Sequence, residues 1–305
     1  MTHEKAIEII GVPSDLGANM RGALMGPAAL RIAGLKKKIE IQGYKVRDIG
    51  DLFVPVRDSL SQEIQDEKFL QPLTQICEDL CGKTHNAVQS GNIPLVVGGD
   101  HSIAIGTISG IAKHHKEQGG ELGVVWVDAH ADINTPDSSP SGNIHGMPLA
   151  TLMGDGHPEL CKIGGDGPKL KPENVALIGI RTIDDDEKRV LKASGVNYYS
   201  MRDIDERGMF RVMKEAIEKV SANTKALHVS FDIDGIDPRY APGVSTPVSG
   251  GLTLREAHLL LEMLYETKKL GSLEFVELNP YTDVGAQSAN LTVDLILSAL
   301  GKSIV

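Results

Sequence analysis

"LGVVWVDAHADINT", residues 122–135, joins an uninterrupted apolar run to three titratable side chains, Asp128, His130 and Asp132, on alternate positions. A strand whose residues are apolar on both faces needs cover on both faces, which helices flanking a parallel sheet provide. Seven further short, β-rich runs also read as strands: "AIEIIGVP", "KVRDIGDL", "IPLVVGGD", "NVALIGI", "NYYSM", "ALHVSFDID" and "LEFVEL". Between them, apolar residues recur at spacings of three and four, predicting helices over Pro27–Ile41, Ser61–Val88, Ile103–Lys116, Phe210–Val220, Leu254–Lys269 and Leu291–Leu300. The expected fold is α/β, a doubly wound parallel β-sheet flanked by helices, with ligands bound at the C-terminal edge of the strands. No linker or repeat interrupts the rhythm, so residues 1–305 are expected to form a single domain.

Composition narrows the function. Lys and Arg number 31 against 41 Asp and Glu, a formal net charge of -10, which disfavours a nucleic-acid backbone as partner. The opening "MTHEKAIEIIGVP" lacks the apolar core of a secretory signal, so the mature chain is expected to start there; no run is long enough to span a bilayer, and a soluble, cytoplasmic protein without membrane contact is expected. The three cysteines, Cys77, Cys81 and Cys161, lack framework spacing and read as packing residues in a reducing compartment. Neither GxGxxG nor GxxxxGK[ST] appears, which removes the usual anchors for a dinucleotide or nucleotide.

Three predicted strand ends carry polar clusters: "VVGGDHS" with Asp100 and His101, "VVWVDAHAD" with Asp128, His130 and Asp132, and "HVSFDIDGIDP" with Asp232, Asp234 and Asp237. Period two would aim Asp128, His130 and Asp132 to one side, and likewise Asp232 and Asp234. Four carboxylates meeting in a half-buried crevice repel one another unless cations neutralise them, and no Lys or Arg stands beside the motifs. A divalent metal pair answers this. Two imidazoles and four carboxylates form an oxygen-rich set that favours Mn²⁺, with Co²⁺, Ni²⁺ and Zn²⁺ as competitors. Two such ions roughly 3.5 to 4 Å apart share and acidify a bridging water, which is hydrolytic chemistry. A lone DxHxD is equally well a hydrogen-bonded strand end; three polar clusters at predicted sheet ends are not so easily dismissed.

The ordered series "IGVPSDLGANMRGALMGPAALR", "GGDHS", "DAHADINT", "SPSGNIHGMP", "SFDIDGIDP" and "ELNP" resembles the ureohydrolases, the arginase and agmatinase family, most closely its arginase branch, over nearly the whole chain. The resemblance implies two Mn²⁺ per subunit, one held by His101, Asp128, Asp132 and Asp232, the other by Asp128, His130, Asp232 and Asp234. It implies hydrolysis of L-arginine to L-ornithine and urea by a metal-bridging hydroxide attacking the guanidinium carbon. Asp132 would pass on the hydroxide proton and His145 would act as proton shuttle. Glu277 would grip the guanidinium, because a carboxylate matches its planar donor fork.

At the far end of the substrate, the resemblance gives Asn134, Ser141 and Asn143 the α-carboxylate, and Asp184 and Glu187 the α-amino group, with Thr246 a further substrate contact. Plain readings stand beside these: a hydrogen-bonded loop His for His145, a solvent-facing strand end for Glu277, and a solvated helix start for "DDDEK". Leu24, Thr182 and Ser245 depart from common family residues, and the last two bear on substrate choice. The rival functions are an agmatinase or other guanidino-compound ureohydrolase and a catalytically silent metal-binding regulator. A homotrimer or homohexamer is expected, with the apolar helix in "GLTLREAHLLLEML" packing either internally or across subunits.

Overall fold

In a computed structural model, residues 5–303 are described; Met1–Glu4, part of the expected chain start, lie outside them. All eight predicted strands form: β1 (Ile7–Val12), β2 (Val46–Asp51), β3 (Ile93–Gly98), β4 (Leu122–Val127), β5 (Val175–Ile180), β6 (Asn197–Ser200), β7 (Ala226–Asp232) and β8 (Leu270–Val276). They make one parallel sheet in the order β2-β1-β3-β8-β7-β4-β5-β6. Successive β4 residues supply opposite layers of the core. Val125 and Val127 pack into one apolar cluster, while Val124 and Trp126 pack into another across the sheet, so the run is apolar throughout because both its faces are covered.

The helices agree in place but not always in extent. The span predicted as Pro27–Ile41 is two helices, α1 (Gly26–Ile32) and α2 (Leu35–Ile41). Ser61–Val88 likewise divides into α3 (Gln62–Asp66) and α4 (Leu70–Gln89), because Lys68 and Phe69 turn through the left-handed region at φ 53° and 58°. Next come α5 (Ala104–Glu117) and four short helices without a clear apolar stripe, which periodicity missed: α6 (Pro148–Leu152), α7 (Pro158–Cys161), α8 (Asp185–Ser194) and α9 (Met201–Arg207). The chain continues with α10 (Met209–Ser221), α11 (Leu254–Glu266) and α12 (Gln287–Ala299). The predicted Leu254–Lys269 helix ends early because Leu270 enters β8, paired with Leu227. The apolar face of α11, with Leu260, Leu261 and Leu264, is buried within this chain's own core beside α10 and α12.

Four adjacent central strands, β3, β8, β7 and β4, end on the same edge and deliver His101, Glu277, Asp232 with Asp234, and Asp128 with His130 and Asp132. The N-terminal motif braces this edge. Gly17 donates its N–H to Asp100 and accepts the N–H of His145, tying the "GGDHS" and "NIHG" loops together. Among the described residues no helix is long and apolar enough to cross a membrane.

Candidate metal centre and substrate cavity

Strand pleating does not create the cluster. β4 stops at Val127, so Asp128, His130 and Asp132 all lie beyond it, and Asp234 sits in a 3₁₀ turn after β7. The period-two expectation therefore fails in its cause although the side chains converge. Turns aim them instead. Asp128 Oδ1 accepts the His130 N–H at 2.7 Å, Asp232 Oδ1 accepts the Asp234 N–H at 2.7 Å, and Asp132 takes a left-handed φ of 50°. Glu277, the first residue past β8, is also left-handed at 61°. Left-handed backbone at a non-glycine residue costs about 1 kcal/mol or more and persists only where the surroundings impose it.

His101 Nδ1 lies 3.1 Å from Asp128 Oδ2, 3.0 Å from Asp132 Oδ2 and 3.3 Å from Asp232 Oδ2. His130 Nδ1 lies 3.3 Å from Asp128 Oδ1 and 3.2 Å from Asp234 Oδ2. Two ligand-like groups result, His101–Asp128–Asp232 and Asp128–His130–Asp234, with Asp128 shared and one of its oxygens turned to each. Asp132 faces His101 just outside the first group, and Asp232 belongs to the first group alone. Asp237 does not join: it accepts from Arg239 and from the N–H groups of Gly250 and Gly251. Arg239 is thus a cation beside the third motif, but Asp237 occupies it and the other four carboxylates gain nothing from it.

The tautomer of His101 decides whether this arrangement suits a cation. Buried Glu274 accepts the Ser230 hydroxyl hydrogen at 2.7 Å, and Ser230 Oγ lies 2.8 Å from His101 Nε2. With its only hydrogen given to Glu274, Ser230 must accept one from Nε2, so Nδ1 is the nitrogen left to face three carboxylates, which outweigh burial and raise the imidazole well above its usual range. Three anions around one imidazole nitrogen need a positive charge between them, supplied by a proton or, once that is released, by a divalent cation, which the donor set fits. Trp126 completes the cradle, stacking on the His101 ring at 4.2 Å and donating its indole N–H to Asp128. Ser230, Glu274 and Trp126 escaped sequence reasoning because, inside apolar strands, they carry no spacing signal.

Electrostatics shows the same strain. Burial, then the charges of Asp234 and Asp128, push the Asp232 carboxyl well above its usual range. Burial and Asp128 push Asp132 up to about 6. Burial lowers the His130 imidazole, but Asp234 and Asp128 outweigh it and hold the ring up to about 12. Protons held so tightly occupy the lone pairs that a cation would take. A pH signature follows from the sign of these shifts. Stability lent by a raised pKa is full below the group's ordinary value and is lost as pH climbs toward the folded one: between 3.8 and about 6 for Asp132, and from 6.5 upward for His130. Protein stripped by a chelator should therefore melt at a lower temperature at pH 8 than at pH 6. Restored Mn²⁺ should close most of that gap in differential scanning calorimetry; a pH-independent melt of stripped protein would contradict the account.

His130, Asp132, Asp232 and Asp234 line one cavity together with His145, Glu277, Asn134, Ser141, Asn143, Asp184, Glu187 and Thr246. His101 and Asp128, both 1% exposed, lie beneath it. Glu277 is buried, not solvent-facing; its Oε1 lies 3.0 Å from His145 Nδ1 and accepts the His101 N–H at 3.0 Å, while its buried Oε2 has no partner. Burial lowers the His145 imidazole, but the bond and charge of Glu277 win and raise it to about 9. Asp184 caps α8, accepting the N–H groups of Asp186 and Glu187, so the helix-start reading of "DDDEK" is correct; its other oxygen turns inward to accept Asn134 Nδ2. Glu187 is buried, accepts the Ile133 N–H, and is pushed up to about 8 by burial and by Asp132. Thr246 spends its hydroxyl hydrogen on Asp234 Oδ2 at 2.7 Å, which orients that carboxylate. Ser245 accepts a bond from Asn279 and does not line the cavity, whereas Thr182 does.

Residues 5–301 match the family model described as the Arginase family. The chain is 47% identical over 302 residues to the arginase of Bacillus caldovelox, covering 99% of this chain and all of the relative. It is 47% identical over 301 residues to the arginase of Brevibacillus brevis, covering 99% of each. The native structure of the Bacillus caldovelox enzyme at pH 5.6 superposes with a TM-score of 0.94, over 99% of this chain and 100% of that one.

Proposed function

Because the chain belongs to the arginase family, and is thereby a hydrolase of the ureohydrolase type, we propose that it converts L-arginine to L-ornithine and urea as one undivided domain with two Mn²⁺ bound per subunit. The observation that carries the reading is the partnerless buried Oε2 of Glu277 in the same cavity as the two carboxylate–imidazole groups. His101, Asp128, Asp132 and Asp232 would hold one ion, and Asp128, His130, Asp232 and Asp234 the other. When bound, the pair supplies Lewis-acid polarisation and brings the pKa of water toward neutrality.

The chain's own residues do the rest. Glu277 Oε2 accepts guanidinium N–H groups while its Oε1 is anchored by His101 and His145, so the reacting carbon is oriented rather than merely attracted. Asp132, which lines the cavity beside His101, is placed to carry a proton between nucleophile and departing amine. His145 holds a ring proton near neutral pH for the leaving product. The hydroxyl hydrogen of Ser141, the amide of Asn143 and the second Nδ2 hydrogen of Asn134 serve the α-carboxylate. Glu187, raised to about 8 by burial and Asp132, regains its charge beside an α-ammonium group, with Asp184 adjacent.

Agmatine lacks the α-carboxylate, so it would leave the Asn134–Asn143 donors unpaired. Urea release from L-arginine and agmatine, measured on one purified sample, should favour L-arginine in kcat/KM by at least about 10²-fold. Equal or faster turnover of agmatine would overturn the substrate assignment, and no urea from either would favour the silent regulator. A homotrimer or homohexamer in the cytoplasm belongs to the same reading; the free cysteines, with Cys77 and Cys81 buried, are in keeping with a reducing compartment.

A further inference from the structure

Far from the cavity, α4 and α5 run together with a shared four-residue step. A Cβ on Gly106 would lie 2.6 Å from the Cys77 carbonyl oxygen, and one on Gly110 would lie 2.2 Å from that of Cys81. Only glycine permits so close an approach, and Thr84 places its hydroxyl between the carbonyls of Leu80 and Thr107, 3.1 Å from each. One more step along each helix, from 81 to 85 and from 110 to 114, brings His85 against His114. Their rings meet edge to face with centroids 6.0 Å apart. Glu117, three residues beyond His114 on the same face of α5, places Oε2 2.8 Å from His85 Nε2. One donor atom from each of the three lies within 4.8 Å of the other two.

We propose that His85, His114 and Glu117 form a second metal site for a borderline dication such as Zn²⁺, bridging α4 and α5 at the surface. Two imidazoles and one carboxylate make a nitrogen-rich set that selects Zn²⁺, Ni²⁺ or Cu²⁺ over Mn²⁺ or Mg²⁺, which prefer all-oxygen cages. Ligand distances of roughly 2.0–2.2 Å need the donors drawn somewhat closer together. The side chains can comply, since Glu117 is 45% exposed and His85 15%. The Glu117 carboxyl is already held below its usual range, by its bond to His85 and by Lys113 and His114 nearby, so it is anionic and ready to ligate. Lys113 and Lys162 share the adjoining depression with Glu78, so the ligands rather than the local field set affinity. The remaining coordination position faces water, and the bound ion clamps one helix to the next.

The test counts metal as a difference between proteins. The Mn²⁺-loaded full chain and its His114→Ala and Glu117→Gln variants are dialysed against about 50 µM Zn²⁺ and analysed for both elements. The parent should retain about one Zn²⁺ per chain more than either variant, with equal Mn²⁺ content and equal urea release in all three, and Zn²⁺ should raise the melting temperature of the parent alone. Exposed Glu117→Gln keeps the test valid if His114→Ala fails to fold. Zinc entering the catalytic cavity would do so equally in all three proteins, so the difference stands apart from the catalytic reading. Equal zinc in parent and variants would overturn the site.

Discussion

Asp128→Ala should lower urea release from L-arginine by at least about 10³-fold and strip the protein of its divalent cations, the largest effect expected of any single substitution here. Asp128 is the one carboxylate shared by both ligand-like groups, with Oδ2 turned to His101 and Oδ1 to His130. Its loss removes a ligand from each ion at once. It also frees the Trp126 indole N–H and the His130 N–H, which hold the turn after β4 in shape. Since β4 itself ends at Val127, the sheet should survive, and circular dichroism should be unchanged. Elemental analysis of the dialysed variant decides the matter: normal metal content with a rate within tenfold of the parent would remove Asp128 from the centre of the site.

Glu277→Gln should separate substrate orientation from metal binding. The variant keeps an oxygen for the His101 N–H and for His145 but loses the charge that pairs with a guanidinium. Breaking one side of a buried charge pair costs about 2 to 5 kcal/mol, so kcat/KM should fall by roughly 30- to 5,000-fold. Both cations should remain, because Glu277 is in neither ligand group. Agmatine carries the same guanidinium, so its turnover should fall by a similar factor, leaving the preference between the two substrates unchanged. A threefold effect, or loss of metal, would show that Glu277 does something other than hold the reacting group.

Much of this was legible in the chain. The six inner strands were readable from apolar runs, because a strand covered on both faces has little room for polar interruption, while the edge strands β2 (VRDIGD) and β6 (NYYS) are polar and partly exposed. The polar clusters closing three of those runs pointed to one sheet edge. Helix ends were less legible: the break at Lys68 and Phe69 is announced only by Pro72 in the first turn of α4, a signal that apolar spacing passes over, and α8 hides its N-cap, Asp184, in an acidic run that reads equally well as solvent-facing.

Local pattern determined the sheet, its C-terminal edge as the reactive one, and the identity of the carboxylates and imidazoles there, because those follow from which side chains water will and will not accept. Tertiary structure alone decided how they face one another. Turns beyond β4 and β7 aim the carboxylates, and Ser230 and Glu274 on the neighbouring strands β7 and β8 set the proton on His101. Those partners are tens of residues apart or more, and a hydrogen bond between such distant positions leaves no periodicity in the sequence from which it could be read.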